Sequence, residues 1–221
     1  SIAAARAYRA LALGDVPGTE TYARQALELT PAEDPVRHIQ ATSLLGLAQY
    51  TSGNLPAAER SLVDFHAYLW EIGEFTTLIG IAFLLADIQV ALGRLDAAEN
   101  SYRQTLRLAS GQSEPLPLGT ADLYRGLGEF SLERNDLDAA ARYLLTGQKL
   151  GEQSATTDWP HRLRVSQARL REAQGDLTGA LALLDEAERL YVRNPLPDVR
   201  PAAALKARVW LKQGKLTEAR G

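Results

Sequence analysis

Leu132-Glu133-Arg134-Asn135-Asp136-Leu137-Asp138-Ala139-Ala140 reads as the end of one helix, a stop, and the first turn of another. Asn tolerates the left-handed conformation that satisfies the last carbonyls of a helix, and an apolar, Ala-rich stretch then resumes the helical pattern. The same turn recurs as Gly14-Asp15-Val16, Gly53-Asn54-Leu55, Gly93-Arg94-Leu95, Gly175-Asp176-Leu177 and Gly214-Lys215-Leu216. Successive turns are 39, 40, 42, 40 and 39 residues apart. A period that regular marks a stacked repeat array, in which each unit buries its apolar face against its neighbours.

Working outward from the turns, small residues stand seven positions before each one: Ala7, Gly46, Ala86, Gly128, Ala168 and Ala207. Five positions after come Thr19, Ala58, Ala98, Ala140, Ala180 and Ala219, and nine after come Ala23, Leu62, Tyr102, Leu144 and Leu184. Small residues at fixed offsets let two helix backbones approach, and the bulky residue fills the space beside them. Each copy is therefore a helical hairpin. The spacing predicts first helices over 1–13, 36–52, 74–92, 118–134, 159–174 and 201–213, and second helices over 17–29, 56–70, 96–109, 138–150 and 178–192. No segment alternates with period two over a strand's length, so the class is all-α.

Between repeats the composition shifts to prolines and small polar residues at Thr30–Pro35, Ser110–Gly119, Gly151–Pro160 and Asn194–Pro201. These segments join a second helix to the next first helix and are expected along one edge of the array, where long loops often line a binding surface. At 46% hydrophobic and 23% charged residues the chain has enough apolar surface for a continuous core. The longest apolar run, Leu78 to Ala86, is far short of the roughly 18 residues a membrane span needs, and reads as a helix buried on most sides. No membrane partner is expected. A chain without cysteine makes no disulfide, thiol nucleophile or Cys-ligated zinc site. That composition suits a cytoplasmic protein, and no export leader is expected. The first residue already lies within a helical pattern and the last lies shortly after the sixth turn, so a longer native polypeptide is expected.

Chemistry is sparse. His38, His66 and His161 lack a partner histidine at helical spacing, so no metal site is expected. Glu129 and Glu133 stand four apart without a nucleophile beside them, and read as solvated or ligand-facing charge. Gly14 to Gly18 belongs to a repeat turn and not to a phosphate loop. No catalytic residue is nominated, and the chain reads as a non-enzyme. Residues 1–110 carry 8 basic and 12 acidic side chains, residues 111–221 carry 16 and 15, an asymmetry too small to imply nucleic-acid binding by this segment. Arg162 with Arg169, and Arg164 with Arg171, form two stripes on one first helix.

The offsets, with the pairs Leu45-Gly46 and Leu127-Gly128, resemble the tetratricopeptide (TPR) repeat, lengthened here by about six residues over its usual 34. That resemblance implies one right-handed superhelical solenoid domain over 1–221, of about five and a half TPR-like hairpins with a period near 40. It also implies a concave groove lined by first helices, with the residues ten and six before each turn projecting into it. Those are Ala4 and Tyr8, Ser43 and Leu47, Phe83 and Asp87, Arg125 and Glu129, Val165 and Arg169, Ala204 and Arg208, with Tyr50 one turn further on. The candidate ligand contacts are Tyr8, Tyr50, Phe83, Asp87, Arg125, Glu129, Arg169 and Arg208. Rings mixed with acids and arginines suit a polar organic ligand with a stacking face and hydroxyl or anionic groups.

The 40-residue period, the run from Leu132 to Ala140 with Leu145-Thr146-Gly147-Gln148-Lys149-Leu150-Gly151, the stretch Gln174 to Leu184 and the segment Val209 to Gly214 are similar to the sensor region of MalT-type, ATP-dependent LuxR-family transcription regulators. The resemblance implies a bacterial activator in which this segment binds an inducer, a sugar or another metabolite, and couples it to self-association. ATP is expected only in a separate N-terminal domain and DNA only at a C-terminal helix-turn-helix; no cofactor is expected within these residues. The competing reading is a scaffold for a protein or peptide partner with no small-molecule ligand. A carboxylate clamp of the chaperone type is disfavoured, because Leu47, Asp87 and Glu129 stand where such clamps present Lys and Asn. A hydrolase or phosphatase built on helical repeats is a third class, which turnover abolished by Glu129→Gln would revive.

Overall fold

The computed structural model describes residues 2–31, 33–111, 119–154, 158–192 and 201–220, the side chains of 152–154 apart. The described residues form eleven α-helices, one 3-10 turn at Glu218–Arg220 and no strand. In chain order the helices are α1 (Ile2–Leu13), α2 (Val16–Glu28), α3 (Pro35–Thr51), α4 (Leu55–Ile72), α5 (Phe75–Ala91), α6 (Leu95–Ser110), α7 (Thr120–Glu133), α8 (Leu137–Ser154), α9 (Trp159–Ala173), α10 (Leu177–Leu190) and α11 (Ala202–Lys212). The predicted all-α class and the predicted alternation of first and second helices both hold.

All six repeat turns adopt the left-handed conformation, with φ between 57° at Asn135 and 84° at Gly175. Each closes the first helix in the same way. Around Asn135, its own N–H donates to Leu132 O at 3.0 Å and the Asp136 N–H to Ser131 O at 2.9 Å. This paired reach-back satisfies carbonyls that the helix end would otherwise leave open. The next residue then caps the second helix. Asp15, Asn54, Asp136 and Asp176 accept from the backbone N–H three positions on, at 3.0, 3.4, 2.9 and 2.8 Å. Arg94 offers no such cap and pairs instead with Glu59 of the preceding second helix.

First and second helices bury themselves differently. Second helices keep one apolar stripe, as at Ala58, Leu62, Phe65 and Leu69 of α4 or Ala180, Leu184 and Ala187 of α10. The first helices α3, α5, α7 and α9 are enclosed on several sides: α5 buries nine residues between Leu78 and Gln89, as its apolar run predicts. No described helix is long and apolar enough to cross a membrane. The offsets seven before and nine after a turn meet in space. A Cβ built on Gly128 would lie 2.9 Å from Leu144 Cδ2, so the second-helix leucine rests directly on bare backbone. Gly46 and Leu62 repeat the arrangement at 3.0 Å.

Packing resolves two compact units, Ser1–Ser101 and Tyr102–Arg193 with Asp198–Gly221. The first holds α1 to α5; its N-terminal core is alanine-rich, with Ala7 and Ala23 against Leu44 and Leu45, and Ala3 with Ala26 and Ala41. The second holds α7 to α11. Its larger core runs from Val165 and Ala168 through Leu184 to Leu205 and Val209, beside a second cluster of Ala121, Leu144, Trp159 and Leu163.

One boundary departs from the sequence reading. The connection expected from Gly151 to Pro160 is shorter, because α8 continues to Ser154 and α9 starts at Trp159. Gly151 is helical and serves clearance: a Cβ there would stand 2.0 Å from Trp159 Nε1. The expected edge of long connections falls mostly on residues 32, 112–118, 155–157 and 193–200, which lie outside the described residues.

Candidate functional site

In the second unit Arg125, Glu129, Arg169 and Arg208, at ten or six before the turns, belong to a layer of charge between first helices. Arg125 and Glu129, one turn apart on α7, are 3% and 5% exposed. The Arg125 guanidinium donates to Glu129 Oε1 at 2.7 Å, and the Ser166 hydroxyl of α9 donates to the same oxygen at 2.5 Å. Arg169, one turn beyond Ser166, donates to Glu133 Oε1 at 2.6 Å and lies 3.8 Å from Glu129 Oε2. At the other end Arg162 lies 3.0 Å from Asp122 and 3.2 Å from Asp158, and Arg125 Nε lies 3.7 Å from Asp122. Three guanidiniums thus meet four carboxylates across α7 and α9, and no large net charge is left to attract an ion. Burial pushes the Asp122 carboxyl up from the ordinary aspartate range, against the opposing pull of Arg162 and Arg125.

The pattern continues from α9 to α11. The carboxylate of Glu172 is buried and lies 2.5 Å from Arg208 and 2.7 Å from Lys212. Its burial favours the neutral acid, but the hydrogen bonds and charges of those two cations together outweigh burial and hold it below the usual glutamate range. Lys206, 2.8 Å from Asp185 and 2.9 Å from Glu188, ties α11 to α10, and these hydrogen bonds raise its pKa.

The nominated residues therefore differ in availability. Tyr8 is exposed; Phe83, Asp87 and Arg169 are half-buried; Tyr50, Arg125 and Glu129 are buried; Arg208 keeps 49% of its side chain exposed while holding Glu172. The structure brings Arg125, Glu129 and Arg169 together in the second unit, and sets Tyr8, Tyr50, Phe83 and Asp87 in the first. Ser166, Asp122 and Glu172 complete the contacts and were not nominated from sequence. Ser166 carries a signal nonetheless: nine before each turn the chain has Ala5, Leu44, Leu84, Gly126, Ser166 and Leu205, so its hydroxyl is the exception in that register.

Ser166 is fully buried and bonded to Glu129, so it has no route to a substrate. His161 places Nδ1 2.8 Å from Ala187 O in the core, and His66 sits beside Trp70 with its pKa lowered by burial. Among the described residues no group of three or more His, Cys, Asp or Glu side chains is arranged to hold a metal. The arrangement fastens one first helix to the next, with Arg169 mostly buried in it and Arg208 half-exposed at its rim.

Comparison with known proteins places the fold. A family model described as the MalT-like TPR region matches residues 1–221. Among solved structures, the apo form of RapI is similar with a TM-score of 0.66 at 12% identity, covering 97% of this chain and 77% of that one. A Rap protein complexed with Competence and Sporulation Factor aligns at 0.65 and 14% identity, over 97% of this chain and 58% of its own. BtubC from P. vanneervenii aligns at 0.57 and 17% identity, over 97% and 87%. At these identities the structural likeness concerns the fold, a TPR-like helical repeat. No curated protein sequence matches the chain.

Proposed function

Because this chain belongs to the family of MalT-like TPR regions, we propose that it is the sensor region of a bacterial LuxR-type transcriptional activator, working in the cytoplasm. The family match over every residue from 1 to 221 carries this reading. In it, an inducer binds against first helices and biases the region between two conformations, which other parts of the regulator read out as self-association and promoter binding. ATP and DNA are handled by those other parts and not by these helices. The shift in population is bounded by the inducer's differential affinity for the two states.

Tyr8, Phe83 and Asp87 in the first unit, and Arg169 and Arg208 in the second, are the proposed direct contacts, since their side chains are at least partly open. Tyr50, Arg125 and Glu129 act from behind, by fixing the helices that carry those contacts. An anionic or hydroxyl-rich inducer engaging Arg169 or Arg208 would compete with Glu133 or Glu172 for the guanidinium. Ligand binding would in that way loosen or re-pair the seam between consecutive first helices.

A thermal-shift screen of the 221-residue chain against sugars and other polar metabolites tests the proposal. An inducer should raise the melting temperature, and Arg208→Ala or Phe83→Ala should remove the rise. Arg125→Ala is the wrong probe, because its burial makes it a stability variant first. A second reading, a scaffold for a macromolecular partner, draws on the similarity to a Rap protein solved with a bound factor. It prevails if no metabolite stabilises the chain while affinity capture recovers one defined partner whose binding is lost in Arg208→Ala.

A further inference from the structure

In the first unit polar pairs stand at fixed offsets from the turns, one joining consecutive hairpins and two tying the two helices of a hairpin together. Six residues after Gly53 stands Glu59, buried and paired with Arg94, which directly follows the next turn glycine. Four before Gly93, Gln89 accepts from Ser101, eight after it, at 3.1 Å; Gln49 and Ser61 make the same pair around Gly53 at 3.0 Å.

At the seam between α8 and the hairpin of α9 and α10, all four of these positions change. Ala141 replaces the acid, Asp176 replaces its cation, Arg171 replaces the glutamine and Leu183 replaces the serine. None of these pairs can form. A half-open cavity of about 380 Å³ lies here, with Leu144, Leu170 and Leu183 among its lining and Leu145, 54% exposed, at its edge.

The polar part of the lining is one-sided. It holds the guanidinium of Arg171 and the carboxamides of Gln148, Gln167 and Gln174, and no carboxylate. Gln167 donates to the oxygen of Gln148 at 2.8 Å and accepts from Arg164 at 2.8 Å, which leaves the Gln148 NH2 group without a partner among the described residues. Arg171 is 56% exposed and stands 3.7 Å from Asp176 Oδ2, while the other oxygen of Asp176 caps α10. A guanidinium above an apolar floor prefers a bidentate oxyanion joined to a hydrocarbon body. The volume lies near the lower end of the roughly 300–1,000 Å³ found for ligand pockets, room for about ten heavy atoms.

We infer that this cavity binds a small amphipathic carboxylate, with its head on Arg171 and Gln148 and an aliphatic body of about five to seven carbons on the leucines. The site uses the stripe of α9 that carries Gln167, Arg171 and Gln174, roughly opposite the stripe of Arg162, Ser166 and Arg169. It stands apart from the ion cluster and does not depend on the transcription-regulator reading.

Titrating hexanoate into the isotope-labelled 221-residue chain, followed by NMR, tests the site. Saturable shifts should be confined to the side-chain amides of Gln148, Gln167 and Gln174 and to the backbone of α8 to α10. Hexan-1-ol should bind about tenfold more weakly and hexylammonium more weakly still. Arg171→Gln, a change at an exposed side chain, should cost hexanoate about tenfold and leave hexan-1-ol unaffected. Ala141→Glu, which restores the acid of the first unit, should abolish binding. The inference is overturned if no saturable site shows up to tens of millimolar, if shifts spread over the chain, if the three head groups bind equally, or if Arg171→Gln has no effect.

Discussion

Asn135 is, among the described residues, the one non-glycine in the left-handed region, at φ 57°. Its side chain is among the few that tolerate this geometry, so the turn survives the loss of glycine. Asn135→Val should cost about 1–2 kcal/mol in denaturant unfolding, because a branched Cβ meets the following carbonyl there. Asn135→Gly should be close to neutral. Glu172 gives a second residue-level expectation, in pH. Its folded pKa lies below the ordinary 4.5, so its contribution is present above that value and is lost as pH falls through the folded pKa. Glu172→Gln should therefore destabilise the chain at pH 7 by about 1 kcal/mol, since its two cations are half exposed. The deficit should close on acidification below pH 4.5, which unfolding curves at a series of pH values would show.

For the helices, the turns made nearly everything legible. Offsets counted from Asn135 and five glycines placed every hairpin, because helix stops and close approaches demand particular residue types. Gly151 was misread because a glycine looks the same as a breaker and as clearance; only the Trp159 ring beside it distinguishes the two. The ion cluster was half legible. Arg125, Glu129 and Arg169 follow from register, but their mutual pairing does not, since burial depends on which neighbouring helix covers them. Removing one partner should show how much rests on that cover. Arg125→Ala leaves the buried Glu129 without its nearest cation, Arg169 remaining 3.8 Å away, and should cost about 3 kcal/mol. Arg125→Met combined with Glu129→Met should cost less than the two single changes summed, by a double-mutant cycle.

At the scale of the molecule, repeats that touch only their neighbours hold stability locally. Gly128→Val would push Leu144 off the α7 backbone, and hydrogen exchange should speed within 120–154 and the helices packed on it. Amides of α1 to α3 should keep their protection. The chain also carries its own optical reporters for such an experiment. Of its three tryptophans, Trp70 lies in the first unit and is 42% exposed, whereas Trp159 is 4% exposed between α8 and α9. Iodide should quench Trp70 readily and leave Trp159 bright. With neither cysteine nor methionine in the chain, one introduced cysteine would be a unique attachment point for a dye. Energy transfer from Trp159 to such a dye would then follow the α8–α9 seam as it opens.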